Sequence, residues 1–363
     1  MINRLSLPEL EQYIKSIDAK RYSEQRNYLG GSTKLSEYIT RGFISLPRVR
    51  ELLLQCNSEQ DAYKLLNELA WREYWQHTWR IRKEQIFDYI RELNFQPKNG
   101  LPTAVLEANT GITAIDEGIR QLYETGYIHN HMRMWIAGLV CNVAKCDWKV
   151  GATWMHSYLI DGDYASNHLS WQWVAGSYTG SAYLPQQDNI NTYTRTLQAG
   201  SYLDNSYEFI RDMPVPSQLN IIQEYIPHHD SQQLLSTITI DELNTNETLL
   251  LYSPWTLDPL WRSDEIAQRV LIMPSDIFAD HCFSQNVLDS ISYYQSQIAG
   301  LKTIYLNSVQ ILELKAQNIY RKDYPGINDW PGSVDPAELL YPGVLPKFYP
   351  SFSSYWKQVT KLY

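Results

Sequence analysis

The spacing of apolar residues changes once along this 363-residue chain, and the change restricts the folds that it can adopt. Up to about residue 210, apolar residues recur every three or four positions, for example across 132–143, which predicts amphipathic helices. From residue 247 onward, short apolar runs bounded by turn residues replace that pattern. The polar stretch 211–246 between them contains two early prolines and predicts a linker.

The last third of the sequence predicts a parallel sheet covered by helices. Three apolar runs have the length and composition of strands, and they lie at 248–252, 269–273 and 301–306. Residues 283–299 between the last two have helical spacing, and strand–helix–strand is the building unit of α/β domains. The sequence therefore predicts a mainly α domain, a linker and a smaller Rossmann-like α/β domain, over residues 1–210, 211–246 and 247–363.

Composition and charge exclude several classes of protein. The chain is 44% hydrophobic and 13% aromatic, which excludes a disordered protein. Its net charge of −9 means that nucleic-acid binding would need a local basic patch. The start of the chain has no signal-like apolar segment, and no apolar run approaches the roughly 20 residues that span a bilayer. Cys141 and Cys146 fit buried thiols, so we expect a cytoplasmic protein with no membrane partner.

Polar chemistry is most concentrated in residues 161–173. This stretch holds Asp161, Asp163, Asn167, Trp171 and Trp173. Carboxylates and amides can hold the edge of a polar heterocycle, and indoles can stack on a flat ligand or pass electrons. Two tryptophans two positions apart in a helix point in different directions, so one can be buried while the other lines a cavity. The alternative is two core tryptophans.

The helix predicted around residue 130 places Asn130, Arg133 and Met134 close together on its surface. A buried Arg133 needs a carboxylate, and Asp161 or Asp163 is the natural partner. Such a pair fits either a ligand site or a structural tie between helix and loop.

A Gly-Gly-Ser-Thr-Lys-Leu-Ser segment at 30–36 precedes another helical pattern. Glycines allow close backbone approach, and hydroxyls with helix-start N–H groups can hold a diphosphate. An ordinary helix cap is the alternative. His129 and His131 lie on different faces of a helix with no further ligand nearby in sequence, so no metal site is expected.

Several stretches of the first 210 residues resemble, in order and spacing, the FAD-binding domain of the DNA photolyase and cryptochrome family. They are Tyr22-x-x-x-Arg26 followed by residues 32–36, the sequence Glu68-Leu69-Ala70-Trp71-Arg72-Glu73, residues 126–134 and residues 161–173. The resemblance covers roughly residues 20–210. It implies a photolyase-type helical fold with FAD as cofactor.

The resemblance also implies a role for each matching residue. Those expected to hold the FAD phosphates are Tyr22, Ser32, Thr33, Lys34, Leu35 and Ser36, with Arg72 nearby. Those expected around the flavin ring are Asn130, Arg133, Asp161, Asp163 and Asn167, the last facing N5. Those expected to contact a flipped-out pyrimidine dimer are Glu68, Trp71, Met134 and Trp173. Trp171 and Trp148 match the inner two members of the chain that photoreduces FAD.

The sequence departs from the family pattern at three places. The outermost tryptophan of the electron-transfer chain aligns near Val105, so the chain is cut short or rerouted through another Trp or Tyr. His131 replaces an arginine that grips the lesion backbone. The arginine-bearing loop after the tryptophan pair is replaced at 183–189.

The α/β part resembles the family's antenna domain, which normally precedes the FAD domain. The opening β-α-β matches residues 249–299, and the closing strand and helix match 348–356. We therefore expect a circular permutation that moves an antenna-like domain to the C-terminal side. The antenna chromophore stays unidentified.

Three functions follow as hypotheses. The first is a photolyase, a lyase that repairs cyclobutane pyrimidine dimers in damaged DNA by electron transfer from excited reduced FAD. The second is a cryptochrome-like blue-light photoreceptor without repair activity, which would act through a signalling partner. The third is a photolyase-derived flavoprotein with neither activity.

Overall fold

Helices fill most of the first 212 residues, and strands mark the last third of the chain. The computed structural model describes residues 4–227, 237–275 and 282–362. The α-helices are α1 (Leu7–Lys15), α2 (Ala19–Gln25), α3 (Ser36–Thr40), α4 (Leu46–Leu54), α5 (Glu59–Arg82), α6 (Thr103–Leu106), α7 (Thr113–Thr125), α8 (Asn130–Gly138), α9 (Trp148–Tyr158), α10 (Tyr164–Ala175), α11 (Gln187–Thr194), α12 (Tyr207–Asp212), α13 (Gln285–Ser296), α14 (Ser308–Leu312) and α15 (Phe352–Leu362). The strands are β1 (Leu101–Pro102), β2 (Ile222–Gln223), β3 (Thr248–Tyr252), β4 (Gln268–Pro274), β5 (Leu301–Leu306), β6 (Asn318–Lys322) and β7 (Ser333–Asp335).

The chain forms two compact units, and each is assembled from three separate segments. The helical unit contains Asp18–Thr33, Tyr63–Pro227 and Gly343–Tyr363. The α/β unit contains Met1–Ile17, Lys34–Ala62 and His228–Pro342. The boundaries predicted at 210 and 246 cut the chain only twice, whereas the units interleave along the sequence. Part of the predicted linker, 228–236, lies outside the described residues.

The helices of the helical unit begin and end where local chemistry stops them. Asp147 caps α9 by accepting from the N–H of Lys149, and Asp163 caps α10 by accepting from that of Ser166. The α10 helix ends at Gly176, whose φ of +86° is a left-handed conformation that glycine adopts without strain. These caps fix the start of α9 and both ends of α10, and α10 carries much of the predicted site.

Helix α15 packs on α5 within the helical unit. Phe352 stacks on Trp71, and the hydroxyl of Tyr355 donates to the carboxylate of Glu73 at 3.0 Å. The closing helix expected within 348–356 is therefore present, and it extends to Leu362. The strand expected just before it does not form, because Pro350 has no N–H for a sheet and the carbonyl of Tyr349 accepts from a tyrosine hydroxyl on α5.

A five-stranded, all-parallel sheet forms the α/β unit, in the order β5-β4-β3-β6-β7. In the register, Leu250 of the central strand β3 lies opposite Arg269 and Tyr320. The predicted strands and the helix between them are confirmed as β3, β4, α13 and β5. Strands β6 and β7 were not predicted, because β6 is mostly polar and β7 has only three residues in a Gly- and Pro-rich segment.

The early helices of the α/β unit join it through a buried carboxylate. Glu37 of α3 is 5% exposed, accepts from the hydroxyl of Ser290 at 2.7 Å and pairs with Arg4. Contacts of this kind explain why residues 34–62 group with a sheet that lies almost 200 positions further along. In the described ranges, no helix is both long and apolar enough to cross a membrane.

Candidate functional site

An ion pair links α8 to the loop before α10. Nη2 of Arg133 donates to both carboxylate oxygens of Asp161, at 2.9 and 2.8 Å. The Asp161 side chain is 3% exposed and that of Arg133 is 23% exposed. Arg133 is held further by its Nε, which donates to the carbonyl of Ile128 at 3.0 Å. Of the two expected partners, Asp161 is therefore the one that pairs with Arg133.

Asp163 is the meeting point of α5 and α10. One oxygen caps α10, and the other accepts from Nη2 of Arg72 at 3.3 Å and from the amide of Gln76. Arg72, expected beside the FAD phosphates, thus lies against the carboxylate expected at the flavin edge. Sequence reasoning missed Gln76, although its position one turn after Arg72 on α5 places both on the same helix face.

Asn167 is fixed inside the helical unit, whereas Asn130 is exposed. The side-chain amide of Asn167 donates to the carbonyl of Ala152 on α9 at 2.9 Å, and the residue is 9% exposed. This bond orients the side chain and leaves its oxygen as an acceptor. Asn130 is the first residue of α8 and points into a more accessible environment. The two amides expected near flavin N5 therefore differ in burial.

His129 caps α8 as a neutral imidazole. Its Nδ1 accepts from the N–H of His131 at 3.2 Å, and its Nε2 donates to the carbonyl of Arg26 at 2.9 Å. This pattern requires the proton on Nε2 alone. Burial, followed by the nearby charge of His131, lowers the pKa of His129 to about 4. His131 itself packs against Tyr193, with ring centroids 5.1 Å apart.

The segment expected to hold the FAD phosphates is divided between the two units. In the helical unit, the hydroxyl of Ser32 contacts that of Tyr127 at 2.5 Å, and Thr33 follows it. Gly31 packs so tightly on the backbone of Gln25 that a side chain there would overlap it. Tyr22 lies on α2, where burial and the charge of Glu68 raise the pKa of its phenol.

The remaining phosphate-site residues, Lys34, Leu35 and Ser36, belong to the α/β unit. Lys34 has a left-handed φ of +53°, and Leu35 is buried. Helix α3 has only five residues, so its N-terminal dipole is weak. The phosphate-binding role of these three residues stays a prediction.

Two of the residues expected to contact DNA already have partners within the helical unit. The carboxylate of Glu68 lies 3.3 Å from Arg26 and 3.2 Å from Lys64. The indole of Trp71 stacks face to face on Phe352, with centroids 4.0 Å apart and planes 13° apart. A base that stacks on Trp71 therefore uses the opposite face or displaces Phe352.

The other two expected contact residues, Met134 and Trp173, are half-buried. Trp173 lies beside Tyr183, with centroids 6.3 Å apart and planes 30° apart. Trp171, two positions earlier, is only 2% exposed. The two indoles of α10 thus differ in burial, as expected for residues on different sides of a helix.

Trp148 and Trp171 lie on the packed pair α9 and α10. Trp148 is fully buried. Gly151, one turn further along α9, lies under the ring of Trp171 so closely that a methyl group there would overlap it. Because residues three apart share a helix face, Trp171 contacts the side of α9 that carries Trp148.

The side chains present fit a flavin nucleotide. In the described part of the chain, the buried hydroxyl of Ser166 has no hydrogen-bond partner, and the amide of the next residue, Asn167, is oriented by its bond to the carbonyl of Ala152. Buried polar groups are normally satisfied, so the hydroxyl of Ser166 suits a polar ligand. The Arg133–Asp161 pair supplies a fixed cation on α8, which packs against α10. Within the described residues, no group of three His, Cys, Asp or Glu side chains is arranged to hold a metal ion.

Comparison with known proteins agrees with this chemistry. Residues 65–245 match the family described as the FAD binding domain of DNA photolyase. A deoxyribodipyrimidine photo-lyase of Vibrio cholerae is 31% identical over 205 residues, which cover 54% of this chain and 42% of that protein. The corresponding Escherichia coli protein is 30% identical over 220 residues, covering 57% of this chain and 45% of that protein.

Among solved structures, a Synechocystis cryptochrome is 21% identical with a TM-score of 0.47, covering 53% of this chain and 46% of that one. The chain spans less than half the length of the two curated relatives that it matches.

Proposed function

Because the chain belongs to the DNA photolyase and cryptochrome family, we propose that it is a light-driven FAD protein that repairs cyclobutane pyrimidine dimers in DNA. Two observations carry the proposal: the amide of Asn167 is buried and fixed on α10, and the Arg133–Asp161 pair ties α8 to the loop before α10. An amide at this position adds no negative charge, so it is compatible with a reduced flavin, which carries negative charge at N1. The relatives named deoxyribodipyrimidine photo-lyase support the same reading.

The protein's part in this function is to bind and to orient. When bound, FAD would supply an electron on illumination and take it back after the dimer splits. Arg133 would offer a positive charge, held in place by Asp161. Asp163, fixed by Arg72, would accept from the edge of the heterocycle. Each of these groups is positioned by a hydrogen bond that does not involve the ligand, so little reorganisation is needed on binding.

DNA recognition would depend on the aromatic residues. A dimer that leaves the duplex loses its stacking, and Trp71 and Trp173 would replace it. Glu68 would accept a hydrogen bond from the lesion. Its contacts with Arg26 and Lys64 are partly exposed, so water can replace them at small cost.

The direct test is illumination of the reduced, FAD-loaded protein with an oligonucleotide that contains one dimer. We expect light-dependent loss of the dimer, and a slower loss with Glu68→Gln. Glu59→Gln, at an exposed position of the same helix, is the matched control and should repair at the wild-type rate. No light-dependent loss in a protein with a full complement of FAD would refute repair.

One contact favours a photoreceptor as the second candidate. Phe352 covers one face of Trp71 at stacking distance, so part of the expected DNA platform is occupied from within. A cryptochrome-like protein would retain photoreduction and act through a signalling partner. Photoreduction without dimer loss in the assay above would support it.

A further inference from the structure

The electron path that begins at Trp171 has no evident way to the surface through its expected last member. Trp148 is fully buried, and Val105, which stands where a third tryptophan is expected, is buried and aliphatic. An aliphatic side chain cannot be oxidised by an indole radical cation. The path therefore ends at Trp148 unless another redox-active side chain contacts it.

Tyr89 makes that contact. Its ring centroid lies 5.8 Å from that of Trp148, with the planes at 72°. Tyr89 is only partly buried, and it lines a surface cleft of about 520 Å³ together with Asp147 and Lys149. It thus joins a fully buried indole to a place that a small reductant in solution can reach.

A proton acceptor is already in place for the phenol. The hydroxyl of Tyr89 donates to Oδ1 of Asp147 at 2.9 Å, the same oxygen that caps α9. An oxidised phenol is a strong acid and loses its proton readily. The ammonium of Lys149 lies 5.0 Å from the ring centroid and disfavours a positively charged ring, so oxidation with proton loss is preferred.

Trp148 has no comparable outlet. Its indole N–H is buried and has no hydrogen-bond partner within the described ranges. An oxidised Trp148 therefore keeps its positive charge until an electron arrives. In the resting state, burial and the Asp147 carboxylate raise the pKa of Tyr89, so the phenol holds its proton until it is oxidised.

We propose that Tyr89 is the terminal electron donor of the photoreduction path, in place of the missing outermost tryptophan. One electron moves from Tyr89 to the Trp148 radical cation, which returns to neutral indole, and the phenol proton moves to the carboxylate of Asp147. The products are a neutral tyrosyl radical and a protonated Asp147. When bound, oxidised FAD would supply the light-driven oxidant. Trp171 would give up the first electron and regain one from Trp148, so the proposal rests on FAD binding as proposed above.

A one-electron reductant of the thiol class, reaching the cleft, resets the pair. It gives Tyr89 an electron, and Asp147 returns the proton. Over one cycle the external thiol loses one electron and releases its proton to solvent, so it becomes a thiyl radical. The electron ends on FAD, and Tyr89 and Asp147 return to their starting states.

The test uses the FAD-loaded protein, flash illumination and electron paramagnetic resonance. We expect a neutral tyrosyl signal in the wild type and its loss in Tyr89→Phe, where the oxidised species is a tryptophan that recombines faster. Asp147→Asn keeps a good helix cap but removes the proton acceptor, so the tyrosyl signal should form more slowly. Tyr202→Phe is the control, because it removes the hydroxyl of another partly buried tyrosine, one that donates to a backbone carbonyl and not to a carboxylate. A tyrosyl signal of unchanged size in Tyr89→Phe overturns the proposal.

Two further measurements separate this proposal from repair. Chemically pre-reduced protein does not need the path, so Tyr89→Phe should split dimers at the wild-type rate. Wild-type protein that gives the tyrosyl signal without splitting dimers would refute repair and leave Tyr89 as the donor.

Ultraviolet titration of the FAD-free protein tests the Tyr89–Asp147 contact by itself. Compared with the wild type, Tyr89→Phe should lack one phenol whose pKa lies above the ordinary range. An unchanged titration curve would count against the contact.

Discussion

The Arg133–Asp161 pair gives the most quantitative prediction, because its two members differ in burial. Arg133→Met leaves the carboxylate of Asp161, which is 3% exposed, without its guanidinium. Removing one member of a buried pair costs about 3–5 kcal/mol. In Asp161→Asn, the remaining guanidinium is 23% exposed and still donates to the carbonyl of Ile128, so water can solvate it. That loss should be about 1–2 kcal/mol.

The double variant Arg133→Met/Asp161→Asn should lose less stability than the two single losses together, because neither charge remains. Urea unfolding of the FAD-free protein measures all three free energies of unfolding. FAD titration of the same variants then tests whether the pair also holds the cofactor, and we expect both single variants to bind it more weakly.

The matched control is the Arg211–Asp212 pair, which has a similar two-bond geometry but is largely exposed. Arg211→Met and Asp212→Asn should leave the unfolding curve unchanged. Equal losses in the two site variants, together with additivity in the double variant, would refute the argument from burial.

Three further predictions concern other parts of the helical unit. The free energy of unfolding should fall as pH drops from 6.5 toward 4. His129 has its ordinary pKa of 6.5 in the unfolded chain and a pKa of about 4 in the folded protein, so the unfolded chain takes up the proton first. This difference lowers the free energy of unfolding by about 3 kcal/mol. Gly151→Ala should lose about 1–3 kcal/mol in urea unfolding and alter the near-ultraviolet circular dichroism, because the added methyl overlaps the ring of Trp171. Phe352→Ala should lose about 3–5 kcal/mol in urea unfolding and free one face of Trp71.

Each of these has an outcome that contradicts it. The acid limb of the stability curve should flatten in His129→Asn, and an unchanged limb would assign it to other groups. Gly30→Ala is the control for the glycine substitution, since nothing lies within 4 Å of an added methyl there; equal losses at both positions would reject the overlap. Wild-type stability in Phe352→Ala would mean that α15 does not depend on the stack.

The sequence predicted the elements whose determinants are local. The apolar runs of β3, β4 and β5 each have a complete strand pattern, and the parallel sheet followed from the helix between them. Strands β6 and β7 were not predicted, because their own composition does not indicate strands. They form by pairing with β3 and with each other in the folded sheet. The interleaving of the two units was not predicted for a similar reason. It depends on contacts between residues far apart in sequence, such as that of Glu37 with Ser290, which exist only in the folded protein.

The site shows the same division. The pairing of Arg133 with a carboxylate was predictable, because charge and burial demand it. The position of Gln76 one helical turn after Arg72 could have predicted that the two side chains lie together. The sequence around Gln76 does not itself indicate a polar ligand. The contacts made by Phe352 and Tyr89 depend on tertiary packing, and no sequence motif around either residue predicts them.

The stack of Phe352 on Trp71 also has an evolutionary consequence. Residue 352 lies far along the chain from every stretch that resembles the family's FAD-binding domain, yet its size decides how much of the Trp71 indole a flat ligand can reach. A drift from Phe to a smaller residue would widen that access, and a return to an aromatic residue would narrow it. Selection can therefore adjust the affinity for a flat ligand at a single remote codon, while the residues of the proposed flavin site stay constant.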